Sequence, residues 1–312
     1  MSTPVGPLDA SVVPRFAGVR TFARLPLVDD VESVDVAVLG APFDGGTTFR
    51  AGARFGPAAV RESSVLLRSF NPNIGIAPFE AAQVADAGDA FGNPVDIVAA
   101  HEAIRSSAAG LIATGAGVIG IGGDHSVSLP LVSAAAERHG PLGLVQLDAH
   151  TDTWDAYFGS KLTHGTMFRR AIESGVIDPD RSVQIGLRGS LYSGDDEAAN
   201  HRLGFRTLTA REFDHDAAIE MVRRQATGSI YLTVDIDVLD PAFAPGTGTP
   251  EVGGLTTREL VALLVGIGEE LGPRLVGADV VEVSPPYDPT GITALAGANV
   301  AYHLVSMLAA NR

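Results

Sequence analysis

Short apolar runs alternate with longer stretches of helical period along most of the chain. The short runs cover residues 34–43, 84–87, 117–121, 143–147, 182–187, 205–208, 229–234 and 275–283. They lack a polar face, which predicts strands buried on both sides of a parallel sheet. Between them, residues 57–67, 97–113, 131–138, 165–173, 195–202, 209–225, 256–271 and 293–309 carry apolar residues at helical spacing. Pro57 suits a first helical turn. Thr209 with Glu212, and Thr256 with Glu259, each spell a capping box at a helix start.

This alternation predicts an open, mostly parallel sheet between two helical layers, a three-layer α/β/α sandwich. Nothing divides residues 34–312 into two domains: there is no linker, charge block or low-complexity tract, and no internal repeat. Residues 1–33 have no period and several prolines, and read as an arm laid over the surface or over a neighbouring subunit.

Polar residues cluster just after the strands, where open α/β sheets bind ligands. The strand at 143–147 runs into Asp148, His150 and Asp152. Residues two apart on a strand face one way, so Asp148 and His150 project together. Left unpaired, such groups cost several kcal/mol of desolvation. The strand at 229–234 ends the same way, in Asp235 and Asp237. Two buried carboxylates side by side need either a proton or a cation between them. The strand at 117–121 leads through a glycine turn to His125. Two His and four Asp suit two divalent ions, and a set rich in oxygen and free of thiolate favours Mn²⁺ over Zn²⁺.

The segments GGDHS, LDAHTDT, HGTMF, VDIDVLDPAFAPGTGTPEVGGL and DVVEVSPPYDPTGIT, in this order, resemble the ureohydrolase family of arginases, agmatinases and related guanidino hydrolases. The resemblance implies an arginase-like fold and two Mn²⁺ per subunit. His125, Asp148, Asp152 and Asp235 resemble the ligands of one ion, and Asp148, His150, Asp235 and Asp237 those of the other. It further implies Asp152, His164 and Glu282 as catalytic residues. His164 would carry the proton that the leaving amine needs, work its ordinary pKa suits. Glu282 stands alone in an apolar strand, where a guanidinium can pair with it bidentately; a salt bridge to a protein arginine is the competing account.

The loop from Thr153 to Lys161 lies between a proposed ligand and His164, so Trp154, Asp155 and Tyr157 are candidates to face the substrate's tail. Asp155 would attract the terminal amine of agmatine, and Lys161 the carboxylate of 4-guanidinobutyrate. The whole segment looks nearer agmatinase, which makes agmatine hydrolysis to putrescine and urea the expected reaction. Guanidinobutyrase, 3-guanidinopropionase and proclavaminate amidinohydrolase activities are the alternatives. Two other classes stay open: a zinc deacetylase on the same fold, and a metal-stabilised binding protein without catalysis.

Composition narrows the partners. A net charge of −15 argues against nucleic acid or an anionic membrane. No cysteine is present, which excludes disulfides and thiolate metal sites. The longest strongly apolar run, 260–267, is too short to span a bilayer, and no signal pattern opens the chain. A cytoplasmic protein is the expectation, and the resemblance implies a homo-oligomer, trimer or hexamer. The glycine-rich stretch from Asp44 to Pro57 matches no phosphate-binding motif and reads as a loop at the site's rim. His101, His139, His201, His215 and His303 fall in or beside helices and read as structural or solvated.

Overall fold

The computed structural model describes residues 3–312. Eight strands form one sheet: β1 (Val36–Ala41), β2 (Val84–Asp89), β3 (Gly117–Gly122), β4 (Gly143–Leu147), β5 (Val183–Leu187), β6 (Arg206–Thr209), β7 (Ile230–Asp235) and β8 (Leu275–Val281). Their order is β2-β1-β3-β8-β7-β4-β5-β6, and every pairing is parallel. Side chains of β4 and β7 are fully enclosed, which is why those strands read as unbroken apolar runs. Leu147 is wholly buried there, and Leu147→Ala would cost about 2–5 kcal/mol.

Helices cover both faces. On one side α1 (Gly56–Ser64), α7 (His215–Gln225), α8 (Thr257–Leu271) and α9 (Ile292–Ala309) pack against the sheet, side by side in the order α1, α9, α8, α7. On the other lie α3 (Ile97–Ala113), α4 (Ser128–His139) and α5 (Met167–Glu173) around a second core. The short α2 (Pro78–Ala81) and α6 (Asp196–Arg202) complete the set. The three-layer α/β/α fold is the expected one. Helix α9 is long and apolar enough to cross a membrane by composition alone, yet it is largely buried inside the protein.

One helix start differs from expectation. Thr209 does not cap a helix: its hydroxyl donates to Glu212 Oε2 at 2.8 Å beside a 3-10 turn, Ala210–Glu212. Phe213 then leaves helical backbone, and α7 begins at His215 under an Asp214 carboxylate that accepts from the Ala217 N–H. Two cap sequences compete within six residues, and the second wins. The box at Thr256 and Glu259 forms as expected.

The N-terminal arm lies on its own chain's β2 edge. Val5 and Gln83 exchange hydrogen bonds, and the Phe22 N–H donates to Asp86 Oδ2 at 2.6 Å.

Candidate metal centre

The strand order brings four strand ends together. β3, β8, β7 and β4 are consecutive neighbours in the sheet, and their carboxyl ends carry His125, Glu282, Asp235 with Asp237, and Asp148 with His150 and Asp152. Chain positions more than 150 residues apart thus meet along one edge. Gly123 makes the first of these possible: a Cβ there would lie 1.7 Å from the Phe43 carbonyl oxygen, so only glycine lets the β3 turn pass β1 and deliver His125.

His125 Nδ1 stands 3.0 Å from Asp148 Oδ2, 2.9 Å from Asp152 Oδ2 and 3.2 Å from Asp235 Oδ2. Nδ1 is buried and makes no hydrogen bond with acceptable geometry among the described residues. One nitrogen lone pair facing three carboxylate oxygens is the donor set of a cation site. A second triad overlaps it: Asp148, His150 and Asp237, with His150 Nδ1 3.0 Å from Asp237 Oδ2. Asp148 belongs to both triads, whereas Asp235 groups with the first alone.

The electrostatics say the same. Burial first, and then the neighbouring Asp148 charge, raises Asp152 to about 6. Burial also raises Asp235 and Asp237, with Asp148 adding to both. His125 and His150 are raised despite burial, because the aspartates hold their protons on. Such a cluster keeps its full charge at neutral pH when cations replace those protons.

Asp148 is aimed by an amide chain. Gln146 Nε2 donates to Asp148 Oδ2 at 2.7 Å, Gln184 Nε2 donates to Gln146 Oε1 at 2.7 Å, and Asn200 Nδ2 donates to Gln184 Oε1 at 2.5 Å. Thr153 Oγ1 donates to Asn200 Oδ1 at 2.8 Å, which returns the chain to the loop after β4. The visible signal was a glutamine inside each of two apolar strands. Behind His125, Thr233, Asp279 and Tyr231 form another buried polar chain. Neither chain was foreseen.

Glu282 is fully buried and adopts a left-handed backbone, φ 65°. Its Oε1 accepts from the His125 N–H at 2.9 Å and lies 2.9 Å from His164 Nδ1. Its Oε2 has no partner among the described residues. No arginine among the described residues pairs with it, so the salt-bridge account is not what the structure contains. Burial opposes charge on His164, but Glu282, Asp152 and Asp124 outweigh it and raise the imidazole to about 9.

A cleft of about 770 Å³ opens beside this centre, with His150, Trp154, Asp155, Tyr157 and Tyr192 on its wall. Trp154 is half-buried in that wall rather than in the core, 5.2 Å from the Tyr192 ring and 5.7 Å from Tyr157. Asp155 is engaged: Arg170 Nη2 donates to its Oδ1 at 2.8 Å, with Arg169 at 3.6 Å and Lys161 at 4.0 Å. His101 and His303 are buried within helices, as expected of structural histidines.

Two overlapping carboxylate–imidazole triads on the carboxyl edge of a parallel sheet have the make-up of a binuclear metal hydrolase. Sequence comparison gives the family. The arginase family matches residues 34–306, and the chain belongs to it. It is a hydrolase of carbon–nitrogen bonds. It is 49% identical over 308 residues to a guanidinopropionase of Pseudomonas aeruginosa, covering 97% of this chain and 96% of that one. It is 43% identical over 306 residues to a mitochondrial agmatinase of Gallus gallus, covering 97% and 89%. The solved proclavaminate amidino hydrolase of Streptomyces clavuligerus superposes with a TM-score of 0.90 at 42% identity, covering 96% of this chain and all of that one.

Proposed function

We propose that this chain hydrolyses a linear guanidino acid, one whose chain ends in a carboxylate, to urea and the corresponding amino acid. In this reading His125, Asp148, Asp152 and Asp235 hold one divalent ion. Asp148, His150 and Asp237 would hold the other, with Asp148 common to both sets. Mn²⁺ suits the oxygen-rich donors. A pair of such ions supplies hydroxide near neutral pH by lowering the pKa of a shared water.

The protein's own residues do the rest. Glu282 Oε2, buried and unpartnered, accepts the substrate guanidinium and fixes its carbon against the nucleophile. Glu282 Oε1 holds His164 at 2.9 Å. When the carbon–nitrogen bond breaks, His164 delivers a proton to the departing amine nitrogen. The Trp154, Tyr157 and Tyr192 rings wall the methylene tail.

The observation that carries the choice of tail is the pairing of Asp155. Arg170, Arg169 and Lys161 surround it, with Glu173 sharing the two arginines, so three cations face two carboxylates and the loop meets a ligand with a slight excess of positive charge, not as a lone carboxylate. That favours a carboxylate over an ammonium terminus. Asp196 and Glu197 on the same cleft favour agmatine, which is the second reading.

A urea-release assay over 3-guanidinopropionate, 4-guanidinobutyrate, agmatine and arginine decides between them. The highest kcat/KM is expected for a guanidino acid; a clear preference for agmatine reverses the choice. Asp155→Asn should leave KM for both tail types within about twofold, since its charge is already neutralised at the surface. Glu282→Gln should abolish urea release with both metals retained, and a Glu282→Gln enzyme of normal kcat would remove the anchor from the mechanism.

A further inference from the structure

The glycine-rich loop from Asp44 to Phe55 passes over the His164 side of the centre. It is built to hold still. Gly52 N–H donates to Asp44 Oδ2 at 2.7 Å, Arg54 pairs with the same carboxylate, and Gly46 N–H donates to Asp124 Oδ2 at 2.7 Å. From these anchors it reaches one residue 116 positions away. The Gly46 carbonyl accepts the His164 backbone N–H at 3.0 Å. Thr48 offers two groups to His164 Nε2: its backbone N–H at 3.1 Å and its hydroxyl at 2.7 Å.

Donor and acceptor roles follow. A backbone N–H only donates, so in the neutral ring Nε2 facing it carries the lone pair and the proton sits on Nδ1. Nδ1 then donates to Glu282 Oε1 at 2.9 Å. The Thr48 hydroxyl is the one neighbour of Nε2 that can serve both ring states. It donates to the neutral ring, and by turning its own proton away it accepts from the protonated one. The backbone N–H cannot make that exchange.

We propose that Thr48 is a positioning residue for His164: it fixes the tautomer of the neutral ring and tolerates the change of proton state at Nε2 that proton delivery requires. This rests on His164 being the proton carrier of the hydrolysis. Asp44, Gly46 and Gly52 hold Thr48 in place, which gives the loop its purpose. The charged groups facing His164 are Glu282, Asp152 and Asp124, and Thr48 is its neutral neighbour on the fourth side.

The test compares Thr48→Val, which keeps the shape, with Thr48→Ser, which keeps the hydroxyl, each loaded with Mn²⁺. Valine should lower kcat about 10- to 100-fold, the scale of a misaligned catalytic group, and change KM far less. Serine should restore kcat to within about threefold of wild type. Metal content and thermal midpoint should match wild type in both. A second arm needs neither turnover nor metal. ¹⁵N-imidazole NMR of the metal-free protein, titrated above the His164 value of about 9, should show the neutral ring with its proton on Nδ1, and the Nε2 signal should move in Thr48→Val but not in Thr48→Ser. Wild-type kcat in the valine variant, or a neutral wild-type ring that keeps its proton on Nε2, overturns the proposal. If wild type releases no urea from any guanidine, the hydrolase reading fails, and the NMR arm still decides whether Thr48 sets the tautomer.

Discussion

The Thr233 hydroxyl lies 2.9 Å from His125 Nε2 and 2.6 Å from Asp279 Oδ1. Its single proton goes to Asp279, whose other oxygen takes the Tyr231 hydroxyl proton at 2.9 Å. Thr233 therefore accepts from Nε2–H, and the His125 lone pair is left on Nδ1, facing the three aspartates. Orientation of this kind is usually worth 10- to 100-fold, roughly, in metal affinity. Thr233→Val should weaken one of the two bound ions by about that factor, and Thr233→Ser should recover it. Competition with a chromophoric chelator measures this directly. Two ions held as tightly in the valine variant as in wild type would mean that the tautomer is set elsewhere.

Removing metal should cost more stability at alkaline than at acid pH. Asp152 rises to about 6, and Asp235 and Asp237 rise as well, through burial and then the charge of Asp148. A carboxyl group raised in the folded state stabilises the fold below its ordinary pKa and loses that contribution as pH climbs through the folded value. His125 and His150, also raised, act in the same direction at higher pH. Cations take over where protons leave. Chelation should depress the thermal midpoint more at about pH 8 than at about pH 5. Equal depression at both would argue that the aspartates are not the ligands.

His101 gives the opposite slope. It is buried on α3, with Nε2 3.1 Å from Ser126 Oγ, and burial lowers it to about 4. A histidine depressed in the folded state withholds stability as acid protonates the unfolded chain. Its contribution is whole above its ordinary value of 6.5 and is lost as pH falls towards about 4. The loss amounts to at most about 3 kcal/mol. His101→Gln should flatten denaturant midpoints across that window; an unchanged acid limb would exclude His101 as its source.

Trp154, the chain's one tryptophan, reports on the cleft. It meets Tyr157 and Tyr192, so it ties the loop after β4 to the loop after β5. A non-hydrolysed guanidino acid entering the cleft should quench or shift its emission along the same curve as inhibition. Trp154→Ala should raise KM with little loss of thermal stability, because the ring is not in the core. Emission that ignores saturating inhibitor would detach Trp154 from the substrate path.

The sheet was legible because parallel strands buried on both faces leave unbroken apolar runs, and all eight of its starts fall within two residues of expectation, as Gly117 and Gly143 show. The metal donors were legible because each group follows a strand within a few residues. What chain order cannot express is pairing at a distance. Nothing near Thr48 points to His164, and nothing near Thr233 points to Asp279; both pairs exist only because the strand order places those ends side by side. Asp155 shows the same limit. It read as free to attract a substrate amine because Arg170 lies fifteen residues on, in α5, a segment whose direction the loop sequence does not reveal. At Thr209 the local signal was real but shorter in reach than assumed, since Asp214 offers a second cap just downstream.

Asp152 and Glu282 share one further property: each holds a left-handed backbone, φ 53° and 65°, that residues with a Cβ rarely adopt. Glycine would relax there, and such strained positions cost about 1–3 kcal/mol each. Glu282, which holds no ion, is therefore the place where losing the chemistry would make the protein sturdier; Asp152 would relax only by giving up a metal ligand. A Glu282→Gly chain should outlast its parent on heating while doing nothing to a guanidine. Selection for thermal endurance alone, with activity left unscreened, would erode this enzyme from its active site outward.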